Sequence, residues 1–478
     1  MNSTLLFAAV LVPVLGAVVL PVLGHQSERV RNLFALLLVL VSLGASVALL
    51  PAVLGGEQVF AGGIHLLGPT IFHADPLAVF MALVSTIVGA IIVFYSFGYI
   101  KSFGHRDEYY FIVVLFLGAM MGLVYSNNLI VLYIFWEITA FACWRLIGFF
   151  REEKQVLKAD KAFLITMFGS LMMLVGFLMI YSQTGTFDLS LIKDFLKNTP
   201  ISNHAVFFIL FGILSKSATL PLHTWLPDAG VAPSPVTALL HAAVLVKIGV
   251  YVFARLFVAT MGIDPVWHTV VPWIAGISAL VSAGAALLET DMKRIIAYST
   301  ISQLGFIFLG LSIGNEIGIV GGLLYILMHS LAKGGLFLCA GIVEHGTHTK
   351  DITKMGGLVS SMPITAGAFL VCAFSVMGIP PFGGFFSKFL VLTGAVKSEQ
   401  YFLAAVFVIG AIFTILYLTR LFVMIFLGEA KGQPAHEGTP EMVISVALLG
   451  ILSLVGGLFV HIPLNYLQAT THLLLGGH

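Results

Sequence analysis

Apolar runs fill this chain almost end to end. Stretches long enough to cross a bilayer, about 20 residues each, fall near 4–24, 33–54, 78–100, 111–126, 129–150, 162–182, 205–220, 235–260, 269–288, 295–313, 317–343, 363–396, 401–427 and 442–462. The pattern predicts an all-α polytopic membrane protein with about 14 transmembrane helices. The first run has neither a basic leader nor a small-residue cleavage site and reads as a retained span. Two polar stretches, roughly 52–77 and 183–204, have room for small amphipathic pieces but not for a globular catalytic domain.

Two runs carry breaks. Pro221, Pro227, Gly230, Pro233 and Pro235 interrupt the apolar sequence between 207 and 257, and no continuous helix tolerates that set. Pro380, Pro381, Gly383 and Gly384 do the same inside 363–396. Spans seven and twelve are therefore discontinuous, and each has a lysine near its break, Lys216 and Lys388. Broken helices at membrane depth are where ion sites are built. Five spans separate the two breaks, so these helices run in opposite directions, the mark of two inverted five-helix repeats, spans 4–8 and 9–13. The implied division is 1–110 for helices 1–3, 111–260 for the first repeat, 261–430 for the second and 431–478 for the C-terminal helix.

Composition agrees. Of 478 residues, 59% are hydrophobic and 9% charged, against about 25% charged in soluble domains; mean hydropathy is +1.05. A net charge of +1 gives no hint of nucleic acid as a partner. Cys143, Cys339 and Cys372 lie far apart in apolar runs and form neither a metal-ligand spacing nor a disulfide framework. No glycine-rich nucleotide fingerprint follows a strand. The reading is therefore that this chain holds no cofactor; iron–sulfur clusters, flavin or nickel–iron centres would sit in partner subunits. Lysine and arginine crowd the loops after odd-numbered spans, from Arg29 and Arg31 through Lys154 and Lys158 to Lys293, Arg294 and Lys350. That places both termini outside and the basic loops on the cytoplasmic side.

A charge at the bilayer centre costs about 2.5–3.5 kcal/mol on insertion scales, so each buried one needs a reason. Glu137 lies within span five, and Lys216, Lys247, Lys333 and Lys388 within spans seven, eight, eleven and twelve; His241 and His329 share two of these. His329 and Lys333 are four apart, on one helix face about 6 Å apart along the axis. Local ion pairs or snorkelling are the structural alternative. Lys397 fits that alternative, Arg255 and Arg420 are expected to reach an interface, and His223 suits equally bonding to backbone freed by the break or carrying protons. As a row, Glu137, Lys216, Lys247, His241, His329, Lys333 and Lys388 form a candidate proton relay. Burial and a nearby carboxylate act on a lysine's proton in opposite senses, so movement of Glu137 relative to Lys216 would switch it.

At these residues the chain resembles the antiporter-like subunits shared by respiratory complex I, membrane-bound nickel–iron hydrogenases and Mrp-type sodium/proton antiporters. The resemblance spans roughly 75–430. It is carried by FWE at 135–137, LSKSATLPLHTWLPDAGVAPSPVTALLHAAVLVKIGVY at 214–251, DMKRIIAYSTISQLGF at 291–306, MHSLAKGGLFL at 328–338 and GIPPFGGFFSKFLVL at 378–392. It implies a fourteen-helix fold with a central polar axis. Glu137 and Lys216 would be the ion pair, Lys247 the connecting lysine, His329 and Lys333 relay groups, and Lys388 the terminal lysine. One complex I branch has a glutamate at that last place, which argues against that branch. The implied function is a proton-pumping subunit in a prokaryotic cytoplasmic membrane, joined to other membrane subunits and to peripheral redox subunits that oxidise NADH, ferredoxin, formate or hydrogen. The alternatives are a sodium/proton antiporter subunit without a redox partner and a membrane subunit of inorganic-carbon uptake.

Overall fold

Polar caps start the helices where the loops end. The Asn128 side chain accepts from the amides of Ile130 and Val131, starting Leu129–Ile147; Asp291 accepts from Arg294, starting Met292–Ser312; Asn315 accepts from Gly318, starting Glu316–Thr347. Each satisfies amides that have no partner inside the helix. The computed structural model describes residues 2–63, 70–197, 200–431 and 435–476. Parts of the predicted polar stretches 52–77 and 183–204, residues 64–69 and 198–199, lie outside these.

Among the described residues, eleven helices are long and apolar enough to cross a membrane, twelve if the bent pair Asn2–Ala17 and Leu20–Gln26 is one span. The two other apolar runs are the broken ones. Asn203–Lys216 has 14 residues, and Pro363–Met377 and Gly383–Lys397 have 15 each, too few to span alone. The last run divides differently from its predicted 442–462: Pro440–Leu458 spans, and a separate helix, His461–Leu474, follows. The polar stretches hold a two-stranded hairpin, Val59–Ala61 with Phe72–Ala74, and a short helix, Leu189–Phe195.

The chain divides into two compact units. One comprises residues 1–93, 102–216 and 244–264; the other comprises 94–101, 217–243 and 265–478. In the first, Asn203–Lys216 packs on Glu153–Thr184, and Leu245–Phe253 packs on Asn203–Lys216 and Leu129–Ile147. In the second, Glu316–Thr347 packs against Met292–Ser312, Pro363–Met377, Gly383–Lys397 and Pro440–Leu458. The most buried spans, Ser234–Val258, Met292–Ser312 and Glu316–Thr347, are 94–100% buried along their apolar window. Four of the expected relay groups lie on them: Lys247, His241, His329 and Lys333.

Both units contain a 32-residue helix, Glu153–Thr184 and Glu316–Thr347. In each, the cap residue of the preceding helix forms an isolated bridge to an aspartate just past the long helix, Asn128 with Asp188 and Asp291 with Asp351. The offset is constant: 128 to 291, 153 to 316, 184 to 347 and 188 to 351.

Arg255 corrects its expected role. It is buried rather than extended to the surface, with both terminal nitrogens on the Asp75 carboxylate at 2.6 and 2.7 Å and its Nε on the Tyr251 hydroxyl at 3.1 Å. Burial alone would raise the pKa of Asp75, yet the Arg255 charge and hydrogen bonds outweigh it and hold the carboxyl well below the usual carboxylate range. With its folded pKa depressed, Asp75 contributes its full stability at neutral pH. That contribution is lost as the pH falls below the ordinary carboxylate range. Asp75→Asn should cost about 3–5 kcal/mol, because it strands a buried guanidinium. Thermal unfolding of the purified protein in detergent checks this; an unchanged midpoint would show that the pair carries no stability.

Candidate functional site

The backbone sets each lysine at a break. Lys216 is the last residue of Asn203–Lys216, and the chain then turns through Pro221, which follows a cis peptide bond, before the short helix Trp225–Asp228 that contains Pro227. Lys388 lies in the second turn of Gly383–Lys397, just past the break at Pro380 and Pro381, also joined by a cis bond. A helix C-terminus exposes carbonyls with no partner and the negative end of the helix dipole, which favours a cation. Lys388 Nζ donates to the carbonyl of Val376, one residue from the end of Pro363–Met377, at 2.7 Å. Two turns of broken helix thus hold the ammonium in place.

In the first unit, Lys216 is fully buried. Its Nζ donates to the Trp136 carbonyl at 3.1 Å and stands 5.1 Å over the Trp136 ring. Glu137, the next residue, is half-buried. It forms no direct ion pair with Lys216 among the described residues, and its Oε1 has no hydrogen-bond partner there. Lys216 is therefore held by backbone and by an aromatic face, with Glu137 next in sequence to the residue that holds it. Lys247 is fully buried on the helix packed against that of Lys216.

In the second unit, His241 lies in a π-helical stretch, Leu239–Ala243, with its ring 4.4 Å from that of Phe337. Such stretches interrupt α-helices, frequently at functional positions. His329 lies 5.8 Å from the Tyr325 ring. Lys333 donates to Ser299 Oγ at 2.6 Å and to the Ile296 carbonyl at 3.1 Å.

From Ser299 a bonded chain continues. The Tyr417 hydroxyl donates to Ser299 at 2.8 Å, Gln303 Nε2 donates to Tyr417 at 3.3 Å and to Thr414 at 3.1 Å, and the Tyr325 hydroxyl donates to Gln303 Oε1 at 2.6 Å. Lys388 Nζ adjoins its far end by ring contact, 5.6 Å over the Tyr325 ring and 4.6 Å over that of Phe306. Ser299, Gln303, Tyr325 and Tyr417 are all fully buried. The structure therefore brings Lys333 and Lys388 together through uncharged polar groups.

Those four residues escape a sequence reading that looks for charge. The signal is present as polar spacing. Ser299 and Gln303 are four apart inside a buried span, and Tyr325, His329 and Lys333 repeat every four residues on one helix face. Lys293 is a correction of another kind: it reads as a loop charge in the sequence, although it is 1% exposed. Arg420 caps the carbonyls of Leu287 and Glu289 at the end of Trp267–Leu288, and Lys397 is exposed at a helix end.

Residues 126–414 match the family described as "NADH:quinone oxidoreductase/Mrp antiporter, TM", and residues 69–110 match "NADH-Ubiquinone oxidoreductase (complex I), chain 5 N-terminus". The chain is 36% identical to the A subunit of the Na(+)/H(+) antiporter of Alkalihalophilus pseudofirmus over 426 residues, covering 82% of this chain and 53% of that one. It is 32% identical to the A1 subunit of the Na(+)/H(+) antiporter of Staphylococcus aureus over 500 residues, covering 97% and 62%. It thus spans little more than half the length of these curated relatives. In fold it is similar to a chain of the Mrp complex from Dietzia sp., with TM-score 0.90, 22% identity and coverage of 99% and 98%. A chain of the membrane-bound sulfane sulfur reductase, an archaeal respiratory membrane complex, gives TM-score 0.89, 23% identity and the same coverage.

Proposed function

The chain belongs to the NADH:quinone oxidoreductase/Mrp antiporter membrane family, and from that membership we propose that it is a proton-translocating, antiporter-type subunit of a multisubunit membrane complex. The observation that carries the reading is the fully buried chain from Lys333 through Ser299, Tyr417, Gln303 and Tyr325 to Lys388. Burying two lysines in a membrane core costs several kcal/mol, and a static core has no use for them. Glu137, Lys216, Lys247, His241 and His329 complete the proposed relay. Gln303 does not itself carry a proton; its amide orients the hydroxyls on either side, while Ser299 and the tyrosines bridge.

The architecture we assign is fourteen spans in two inverted five-helix repeats. The constant offset between the two 32-residue helices and their capping bridges supports it. The basic loops support termini on the outside. Cysteines placed at positions 57 and 315 should label from outside and those at 154 and 350 from within; outside labelling of 154 in sealed cells would reverse the orientation.

Identities of 36% and 32% to antiporter subunits favour an Mrp-type assembly driven by ion gradients. The family's description also covers quinone-reducing complexes, which keeps the second reading, a pump coupled to redox subunits that carry the iron–sulfur, flavin or nickel–iron groups. Purification of the intact complex separates the two. Small hydrophobic subunits alone select the antiporter, and copurifying cluster proteins select the redox pump. Loss of all ion flux from vesicles should follow deletion of this chain; persistence of full flux would exclude either role.

A further inference from the structure

The relay needs a way in from water, and the second unit contains a cavity outside the row itself. It has a volume of about 410 Å³ and lies where Trp267–Leu288, Met292–Ser312 and Glu316–Thr347 end or begin, lined by Asp291, Glu344, His348, Lys350 and Asp351 among others. His348 is exposed, so the cavity reaches the surface that carries the basic loops. Its inner wall is Glu344. One Glu344 oxygen meets Lys293 Nζ at 2.6 Å and the Ser234 hydroxyl at 3.3 Å, while the other lies 3.7 Å from Lys350 Nζ.

Exposure falls steadily inward: 23% at the Glu344 side chain, 2% at the Lys293 side chain and none at Lys333. Helix register continues the line. Lys293, Ile296 and Ser299 lie on one face of Met292–Ser312, about 9 Å apart end to end. Lys333 hangs on Ile296 and Ser299. We propose that this cavity is the vestibule through which protons from water reach the buried row, with Glu344 as the loading carboxylate and Lys293 as the first buried carrier. This rests on the relay reading above. The Lys293 ammonium first gives its proton inward to the buried row; the Glu344 carboxylate takes a proton from a hydronium in the cavity and passes it to the amine left behind, which restores the ammonium and frees the carboxylate to load again.

The groups facing Glu344 favour a proton over a metal cation. Lys293 comes from the next helix, Lys350 from the loop beyond, and the Tyr99 hydroxyl bonds the same Ser234 at 3.3 Å. His345, beside it in sequence, is exposed and lies 6.1 Å from the Tyr99 ring. Two ammonium groups offset the charge of Glu344 itself, which makes this carboxylate a poor sodium ligand. A proton needs only a group that alternates between forms.

The test uses the assembled complex in sealed vesicles, with subunit content checked by blotting and flux followed against pH on the basic-loop side. Glu344→Gln should lower flux by roughly a hundredfold, the low end of what a positioned proton-transfer group supplies. It should also flatten the pH profile, and Glu344→Asp should restore most of both. Wild-type flux and profile in assembled Glu344→Gln, beside an inactive Lys333→Ala, overturn the vestibule and leave the relay standing. Wild-type flux in Lys333→Ala removes the relay itself and the vestibule with it. A second arm avoids any folding defect. Cys143, Cys339 and Cys372 are buried, so a cationic thiol reagent applied to folded Thr349→Cys should modify that position. Flux should fall at least tenfold against the same sample before modification; full flux after complete modification overturns the proposal.

Discussion

Lys216→Ala should abolish ion translocation, by about a hundredfold or more, while the protein still assembles. The structural cost is small for two reasons. The insertion penalty of a buried charge, about 2.5–3.5 kcal/mol, disappears with the side chain. The Trp136 carbonyl that Lys216 occupies also keeps the Thr139 hydroxyl at 2.7 Å, so no acceptor is stranded. Glu137→Gln should impair flux as well, for a reason the geometry sharpens. Among the described residues the carboxylate is not bonded to Lys216, although it follows Trp136, whose carbonyl holds the ammonium, and its Oε1 is unpartnered. A group so placed is suited to move, and its charge is what the lysine senses; the amide keeps the shape and loses the charge. The checks are proton uptake in vesicles and blotting for assembly. Normal pumping by both variants, correctly assembled, would show that this pair is not on the pathway.

Lys388→Ala should block flux as completely, and Lys388→Glu should separate charge from proton carriage. The Lys388 ammonium is held by the Val376 carbonyl and by two aromatic faces. Each cation–aromatic contact is worth about 0.5–2 kcal/mol. A carboxylate there would face a carbonyl oxygen at a helix C-terminus, which repels it. A protonated carboxyl can instead donate its one hydrogen to Val376. Lys388→Glu should therefore keep part of the flux, most of it at acidic pH, whereas Lys388→Ala keeps none at any pH. The pH dependence of vesicle flux in the two variants decides this. Equal loss in both at every pH would mean that the ammonium's charge matters and its proton does not.

The sequence alone singles out the charges that lie inside apolar runs, and hydropathy marks the apolar helices. Both are legible because bilayer and burial penalties fall on individual side chains: each charge inside an apolar run costs enough to stand out alone. The proline–glycine breaks are legible on the same ground, since a missing amide is a property of one residue. Pairing is different, because it depends on what another helix presents. From sequence, Arg255 belongs at an interface and Lys293 in a loop. Only the packed helices put Asp75 on the first and Glu344 on the second. Ser299, Gln303, Tyr325 and Tyr417 carry no charge and cost little alone, so nothing in composition singles them out. They become a chain through contacts between residues as far as 118 apart in sequence. The sequence by itself determined that this is a membrane protein with two broken helices and a set of buried charges. The tertiary structure decided which charges are paired, which are held by backbone and which are joined to one another, because hydrogen bonds need partners within about 3 Å and distance along the chain does not supply that.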